Sequence, residues 1–317
     1  MLNEFYTNIG VKGFIKRYGF VNGIKRGIFT KFGIHVVKDY EMKKVLWQAK
    51  VYKKLEKYTD ASNKNFIENL KFNDMLKVNN PIWIYWDSGV ENAPSIVQSC
   101  IKSVMKNTTN EVVVLSEKTI EDYVKLPEWV KEKRKSDKLP MAHYTDIIRL
   151  ALLYNYGGTW IDATVYLTGV LPDSIINSDF FALRNSFCLL DNPALYAVWF
   201  IHSKANNSII KETLNASLTY WSKKNHVEEY LMTNLIMTIV IHKHGFDDDI
   251  LYANTDYSEH LMKILGEKFA TEKFEWIKKL TNIHKLSYKL DESIEKGDTY
   301  YSHIVKAYED SDRKNES

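Results

Sequence analysis

"LPMAHYTDIIRLALLYNYGGTWIDATV", from Leu139 to Val165, decides the architecture. Pro140 stands where a helix starts, since a first-turn proline forfeits no helical hydrogen bond. Apolar residues fill most of 147–153, and Gly157 is placed to end the helix as a left-handed cap. Asp146 and Arg149 share a face with His143 at helical spacing. "TWIDATVYL" then alternates, with Trp160, Asp162, Thr164 and Tyr166 on one side and Ile161, Ala163, Val165 and Leu167 on the other. This predicts one strand with a buried apolar face and with Asp162 and Thr164 side by side on a cleft. An unpaired buried carboxylate is costly or gives up its charge, so Asp162 needs partners. Packed beside the helix, the strand brings Asp146, Arg149 and Asp162 together. Two acids and an arginine can hydrogen-bond several hydroxyls at once, which a sugar demands. The alternative is a buried Asp–Arg pair stitching helix to sheet.

Outward from this block the pattern is α/β. "PIWIYW" (Pro81 to Trp86) and "EVVVL" (Glu111 to Leu115) read as strands, and "APSIVQSCIKSVMKN" between them as a helix with Pro94 in its first turn. "TIEDYVKLPEWVKEKRK" predicts two short helices. Strand and helix alternating at this spacing imply right-handed crossovers and a mostly parallel sheet. "YLMTNLIMTIVIHKHG" (Tyr230 to Gly245) is a long apolar helix; its His242 and His244 lack a third ligand at useful spacing and read as surface or core residues.

The N-terminal part differs. Residues 1–60 carry 13 Lys/Arg against 5 Asp/Glu, although the whole chain is only +3. Phe14, Tyr18, Val21, Ile28 and Phe32 fall near one helical face, with Lys16, Arg17, Lys25 and Arg26 elsewhere. Two readings stand: a segment lying on anionic lipid, or a basic arm packed on the main body. Residues 40–58 predict a helix with Met42, Val45, Leu46, Ala49 and Leu55 inward. The organisation expected is a basic helical region at 1–70, the α/β domain at 71–308 and a disordered tail at 309–317.

Hydrophobic residues at 45% and charged residues at 26% are ordinary for a globular protein. Cys100 and Cys188 are the only cysteines and have no metal-ligand spacing, which argues for a reducing compartment. No signal-peptide pattern stands at the N-terminus, and the longest apolar run, Leu235 to Ile241, is far short of a bilayer span. A cytoplasmic protein is expected, peripheral on the inner membrane face. Neither G-x-G-x-x-G nor a P-loop occurs, and no nucleic-acid motif accompanies the basic arm.

The central block resembles a known family, the capsular polysaccharide synthesis glycosyltransferases, close to glycosyltransferase family 32 and more distantly to the glucosylating clostridial toxins. The shared core is Thr145-Asp146-Ile147-Ile148-Arg149, an apolar run, then Gly157-Gly158-Thr159-Trp160-Ile161-Asp162-Ala163-Thr164. "IWIYWDSGVENAP" and "IHKLSYK" also look like the family, and the resemblance runs from about Pro81 to Leu290. It implies a GT-A-like nucleotide-sugar-binding fold and hexose transfer from a nucleotide sugar, UDP by family habit. Trp86 would stack on the base, with an ordinary core tryptophan as the alternative. Asp146 and Arg149 would hold the donor sugar, and Asp162 its ribose and sugar side. Where the wider superfamily has Asp-X-Asp, this chain has Asp162-Ala163-Thr164, a form the capsular branch shares, so metal dependence is open. Asp162 and Thr164 would hold Mn²⁺ or Mg²⁺, or protein cations would neutralise the diphosphate instead.

Those cations would come from "TNIHKLSYKL" (Thr281 to Leu290), with His284, Lys285 and Lys289 over the phosphates; a solvated basic turn is the alternative. Asn234 stands near the place of a family acid and either positions an acceptor hydroxyl or satisfies itself in the core. The relatives retain anomeric configuration. With no dedicated nucleophile evident, front-face attack is the expected course. The acceptor implied is a growing, lipid-linked oligosaccharide of a surface polysaccharide. A catalytically inactive member that scaffolds an assembly complex is the competing class.

Overall fold

The strands carry apolar residues at successive positions, not at alternate ones, and that pattern buries a sheet on both faces. The computed structural model describes residues 10–26, 40–60, 62–185, 193–245, 250–290, 292–295 and 297–315. In chain order they form α1 (Gly10–Tyr18), α2 (Tyr40–Leu55), β1 (Lys71–Phe72), β2 (Ile82–Tyr85), α3 (Ser95–Lys106), β3 (Val112–Leu115), β4 (Val124–Lys125), α4 (Glu128–Lys135) and α5 (Met141–Tyr156). There follow β5 (Gly158–Ile161), β6 (Val165–Leu167), α6 (Asp173–Ile176), β7 (Phe180–Arg184), β8 (Tyr196–Ser203), α7 (Ser208–Lys223) and α8 (Met232–His244). The last elements are β9 (Leu251–Asn254), α9 (Thr255–Lys263), α10 (Thr271–Leu280), β10 (Ile283–Lys285) and α11 (Tyr300–Asn315).

The main sheet runs β3-β2-β5-β8-β7-β9. Its β3/β2, β2/β5 and β7/β9 pairs are parallel, and β8 is the one reversed strand. On one face Trp83, Tyr85, Trp160 and Ile201 pack with Leu150 of α5, Leu214 of α7 and Ile236 of α8. On the other, Ile82, Ile84, Ile161 and Phe200 pack with Val97 of α3, Leu261 of α9 and Ile304 of α11. The expected α/β fold with a mostly parallel sheet is what forms. From β2 the chain crosses through α3 to β3, then returns through α5 to β5 on the far side of β2. Right-handed crossovers demand that α3 and α5 lie on opposite faces, as they do. Beyond the carboxyl ends of β2 and β5 lies the switch point at which open α/β sheets take ligands.

Several expectations are corrected. The strand predicted through 159–167 stops at Ile161. The Val165 amide donates to the Asp162 carbonyl at 2.9 Å, closing a turn. β6 then leaves the main sheet and pairs antiparallel with β10. The alternation is thereby lost, and Tyr166 packs with Val165 and Leu167, not beside Trp160. Gly157 ends α5 at φ +67° and ψ −159°, a positive-φ but extended conformation instead of the left-handed helical one. The first of the two short helices expected after Thr119 is a single 3-10 turn followed by β4, whose backbone is claimed by β1. In α2 the inward residues are Gln48, Val51 and Leu55, while Leu46 is 63% exposed. α11 continues to Asn315, through the stretch expected to be a disordered tail.

The N-terminal arm packs on the body over residues 10–26. Tyr18 is fully buried and Val21 exposed, so the expected common face does not hold. Gly19, at φ +77°, separates α1 from helical residues 20–26. The Arg17 carbonyl accepts from the Val227 amide at 2.7 Å, Lys16 pairs with Asp137 at 2.6 Å, and Arg26 pairs with buried Glu229 at 2.5 Å. Ile28, Phe32 and Cys188 lie outside the described residues, as does the side chain of Phe14. Cys100 is buried and free.

Candidate active site

Because β5 ends at Ile161, Asp162 is the first residue beyond the carboxyl edge of the sheet, the same edge at which Trp86 follows β2. Its side chain is 25% exposed, open enough to meet a ligand. One carboxylate oxygen, Oδ1, accepts from Trp160 Nε1 at 2.9 Å and from Arg149 Nη2 at 3.2 Å. The other, Oδ2, accepts from Lys285 Nζ at 2.7 Å. Lys285 also donates to Thr164 Oγ1 at 2.9 Å. Burial opposes the charge on Asp162, but Lys285 and Arg149 outweigh it and hold the carboxyl below the ordinary aspartate range.

Asp146 stands one layer deeper, against α8. Thr233 Oγ1 donates to its Oδ2 at 2.7 Å, His143 Nδ1 lies 3.3 Å from the same oxygen, and Arg149 Nη2 lies 3.3 Å from Oδ1. Burial disfavours its charge, yet Arg149 and His143 hold its carboxyl low. Arg149 Nη1 donates to the Val198 carbonyl at 2.5 Å, and the guanidinium lies 5.0 Å over the Trp160 ring. Every oxygen of Asp146 and both terminal nitrogens of Arg149 therefore have protein partners. This pair stitches α5 to β8, and Arg149 Nη2 links Asp146 to Asp162.

β10 separates the basic residues expected to act together. Its register sets Lys285 opposite Val165 and His284 opposite Tyr166, and successive residues point to opposite faces. Lys285 reaches Asp162, whereas His284 is fully buried beside Thr168, 3.0 Å from Oγ1. Burial lowers the His284 pKa to about 4, so it supplies no positive charge at neutral pH. Lys289 is exposed, with its ammonium 5.6 Å over the neighbouring Tyr288 ring. Asn234 donates to the Tyr196 carbonyl at 2.8 Å and is 5% exposed, which makes it a core amide satisfying itself.

Sequence reasoning missed three side chains at this edge. Tyr288 meets Trp86 edge-on at 5.2 Å, and Trp86, half-buried, also packs against the core beneath the sheet edge. Tyr230 has its phenol pushed up to about 12, by burial and then by Asp146 and Asp162. Glu259 of α9 has its carboxyl raised by burial, against the pull of Lys263 and Lys285. Tyr288 and Tyr230 lay in segments already singled out, four residues beyond His284 and at the head of the apolar helix, whereas Glu259 carried no sequence signal.

The donor set does not fit a divalent ion. Asp162 offers one carboxylate and Thr164 one hydroxyl, and an ammonium is already held by both. Among the described residues no group of three His, Cys, Asp or Glu side chains is placed to hold a metal.

A family model described as "Capsular polysaccharide synthesis protein" matches residues 34–304. An O-glycosyltransferase, PaGT, of Phomopsis amygdali is 33% identical over 102 residues, covering 29% of this chain and 25% of that protein. The chain thus aligns with about a quarter of the curated relative's length. Among solved structures, the PaToxG glycosyltransferase is similar at a TM-score of 0.38 and 14% identity, over 66% of this chain and 82% of that one. The apo form of the glycosyltransferase GlyE of Streptococcus pneumoniae TIGR4 gives 0.36 and 14%, over 74% and 64%.

Proposed function

The chain belongs to the capsular polysaccharide synthesis protein family, and on that premise we propose that it is a glycosyltransferase of GT-A type. It moves a hexose from a nucleotide sugar, UDP-linked, to a growing surface-polysaccharide oligosaccharide carried on lipid. The observation that carries this reading is Asp162: a low-pKa, partly exposed carboxylate at the switch point of the sheet, gripped by Arg149, Trp160 and Lys285. In this reading Trp86 and Tyr288 take the base beyond β2, supported by their edge-on contact, and Asp162 meets the ribose and sugar hydroxyls. The Asp146–Arg149 pair positions Asp162.

Transfer breaks the bond between the anomeric carbon and the diphosphate oxygen. It forms a bond from that carbon to the acceptor oxygen on the same face, with retention. The acceptor proton leaves with the diphosphate, and the products are nucleoside diphosphate and glycoside. Catalysis must stabilise positive charge on the ring and negative charge on the leaving group. Asp162 lies on the ring side, and Lys285 reaches toward the phosphates.

The test is a melting panel with UDP, GDP and CMP on wild type and Asp162→Ala. A nucleotide at 100 times its Kd adds about 2.7 kcal/mol. The expected result is a UDP shift lost in the variant, followed by release of UDP from a UDP-hexose on addition of an oligosaccharide acceptor. No shift with any nucleotide overturns the donor reading in favour of a scaffold.

The lipid-linked acceptor places the protein on the cytoplasmic membrane face. No helix among the described residues is long and apolar enough to cross a membrane. Phe20 and Val21, 69% and 61% exposed on the basic arm, support a peripheral seat. Phe20→Asp with Val21→Asp should release the protein from anionic vesicles in a sedimentation assay; unchanged binding rejects the seat.

A further inference from the structure

The bridge from Lys285 to Asp162 and Thr164 is a built feature. Lys285 ends β10, and its position is fixed on both sides: by the β6 register opposite Val165, and by the Leu286 amide donating to the Thr164 carbonyl at 2.8 Å. Its side chain is 19% exposed and its ammonium lies 5.6 Å over the Trp199 ring. A surface lysine free to sample many rotamers would have none of these constraints.

The two oxygens it bridges are the ones the Asp-X-Asp position would turn toward a cation. Thr164 in place of an acid removes one negative charge there, and Lys285 adds one positive charge. A hydroxyl is a poor ligand for a hard divalent ion without further carboxylates, but it is a good acceptor for an ammonium. A divalent ion entering beside the bound ammonium would meet like charge at short range in a partly dry site.

We propose that Lys285 stands in for the divalent cation, so that its ammonium compensates the donor's diphosphate and this chain binds its donor without metal. The diphosphate rests on the donor reading above; the exclusion of a metal from the Asp162–Thr164 bridge does not. The proposal also assigns Thr164 a function: it orients the ammonium, leaving the third donor hydrogen of Lys285 free of Asp162 and Thr164 to meet a phosphate oxygen.

The test is calorimetric titration of UDP, in EDTA and in MnCl₂, with wild type, Lys285→Arg, Lys285→Met and the double variant Thr164→Asp/Lys285→Met. Wild type should bind UDP equally in both media. Loss of a charge-assisted contact should weaken Lys285→Met about tenfold or more in EDTA, while Lys285→Arg keeps most of the affinity and shows that the charge matters. The double variant should regain affinity only with Mn²⁺. In parallel, Mn²⁺ electron paramagnetic resonance on the protein alone should show no bound ion in wild type and a saturable site in the double variant. Stronger UDP binding by wild type in MnCl₂, a Mn²⁺ ion held by wild type alone, or equal binding by Lys285→Met and wild type in EDTA would each overturn the proposal. Absence of UDP, GDP and CMP binding in both media would instead remove the donor reading and diphosphate compensation with it; the resonance experiment would then still judge whether the bridge excludes metal.

Discussion

The two ends of strand β5 are built by opposite rules. At the amino end, Gly157 and Gly158 sit at φ +67° and +95°, and a Cβ on Gly158 would stand 2.2 Å from the Pro81 carbonyl oxygen. Trp83, fully buried, donates from Nε1 to the Gly157 carbonyl at 2.8 Å. No side chain fits between these backbones. At the carboxyl end, four residues on, Asp162 keeps a charge partly open to solvent within a ring of donors. One short strand therefore separates a closed contact of backbones from a partly open carboxylate. The tryptophans of the neighbouring strand repeat the division, with Trp83 inside and Trp86 at the edge.

The comparison breaks most severely at Gly158. Gly158→Ala should cost more than about 4 kcal/mol, read as insoluble expression or a collapsed urea midpoint. An alanine tolerated there would show that the amino end is not closed by backbone contact. Next in size is the tryptophan pair. Trp83→Ala should lose about 3–5 kcal/mol of stability. Trp86→Ala should lose far less stability but weaken UDP by the about 1–3 kcal/mol that base stacking contributes. Equal stability losses for the two would erase the distinction.

The third effect is on acid stability, and each end has its histidine. His202 Nδ1 meets Thr159 Oγ1 at 2.9 Å near the amino end, and His284 lies beside Lys285 near the other. Burial lowers both pKa values to about 4. A folded-state value below the unfolded value of about 6.5 means the unfolded chain takes up protons first. Their stabilisation is complete above about pH 6.5 and declines as pH falls toward 4, by about 1–3 kcal/mol per histidine. Asp146 and Asp162, both held low, keep their contribution until pH falls below the free-aspartate value of about 3.9. Melting temperature from pH 7 to 4.5 should therefore fall in wild type and flatten in His202→Asn/His284→Asn. The smallest stability change belongs to Asp162→Asn, about 1–2 kcal/mol, although the UDP-induced melting shift should vanish.

How much of this was legible in the sequence depended on which residues were asked. The α5–Gly–Gly–β5 block was readable because capping, apolar spacing and glycine punctuation all agreed there. Asp162 and Lys285 were identified, but not their direct contact, because β10 pairs with β6 across more than a hundred residues and no local pattern encodes that register. For the same reason His284 read as a partner of Lys285, until pairing made it a strand residue facing the other way. The alternation through Asp162 to Tyr166 misled because a turn of three residues preserves hydrophobicity while breaking its period. Leu46 read as inward on helical spacing, but the inward face of α2 is set by what it packs against, which left Gln48 inside and Leu46 out.

The pairing of Arg26 with Glu229 has a consequence for how this chain can vary. Glu229 is 1% exposed and stands one residue before Tyr230, at the head of the segment leading into α8. A change at Arg26 alone would take the paired cation from the buried Glu229 carboxylate, and a change at Glu229 alone would take the carboxylate from a guanidinium that lies 4.7 and 5.6 Å from the Tyr18 and Trp47 rings. The two positions are tolerable in pairs and costly singly. Residues 10–26 are thus tied to the body through this pair, and a chimera that borrows them from elsewhere must bring its own partner for position 229.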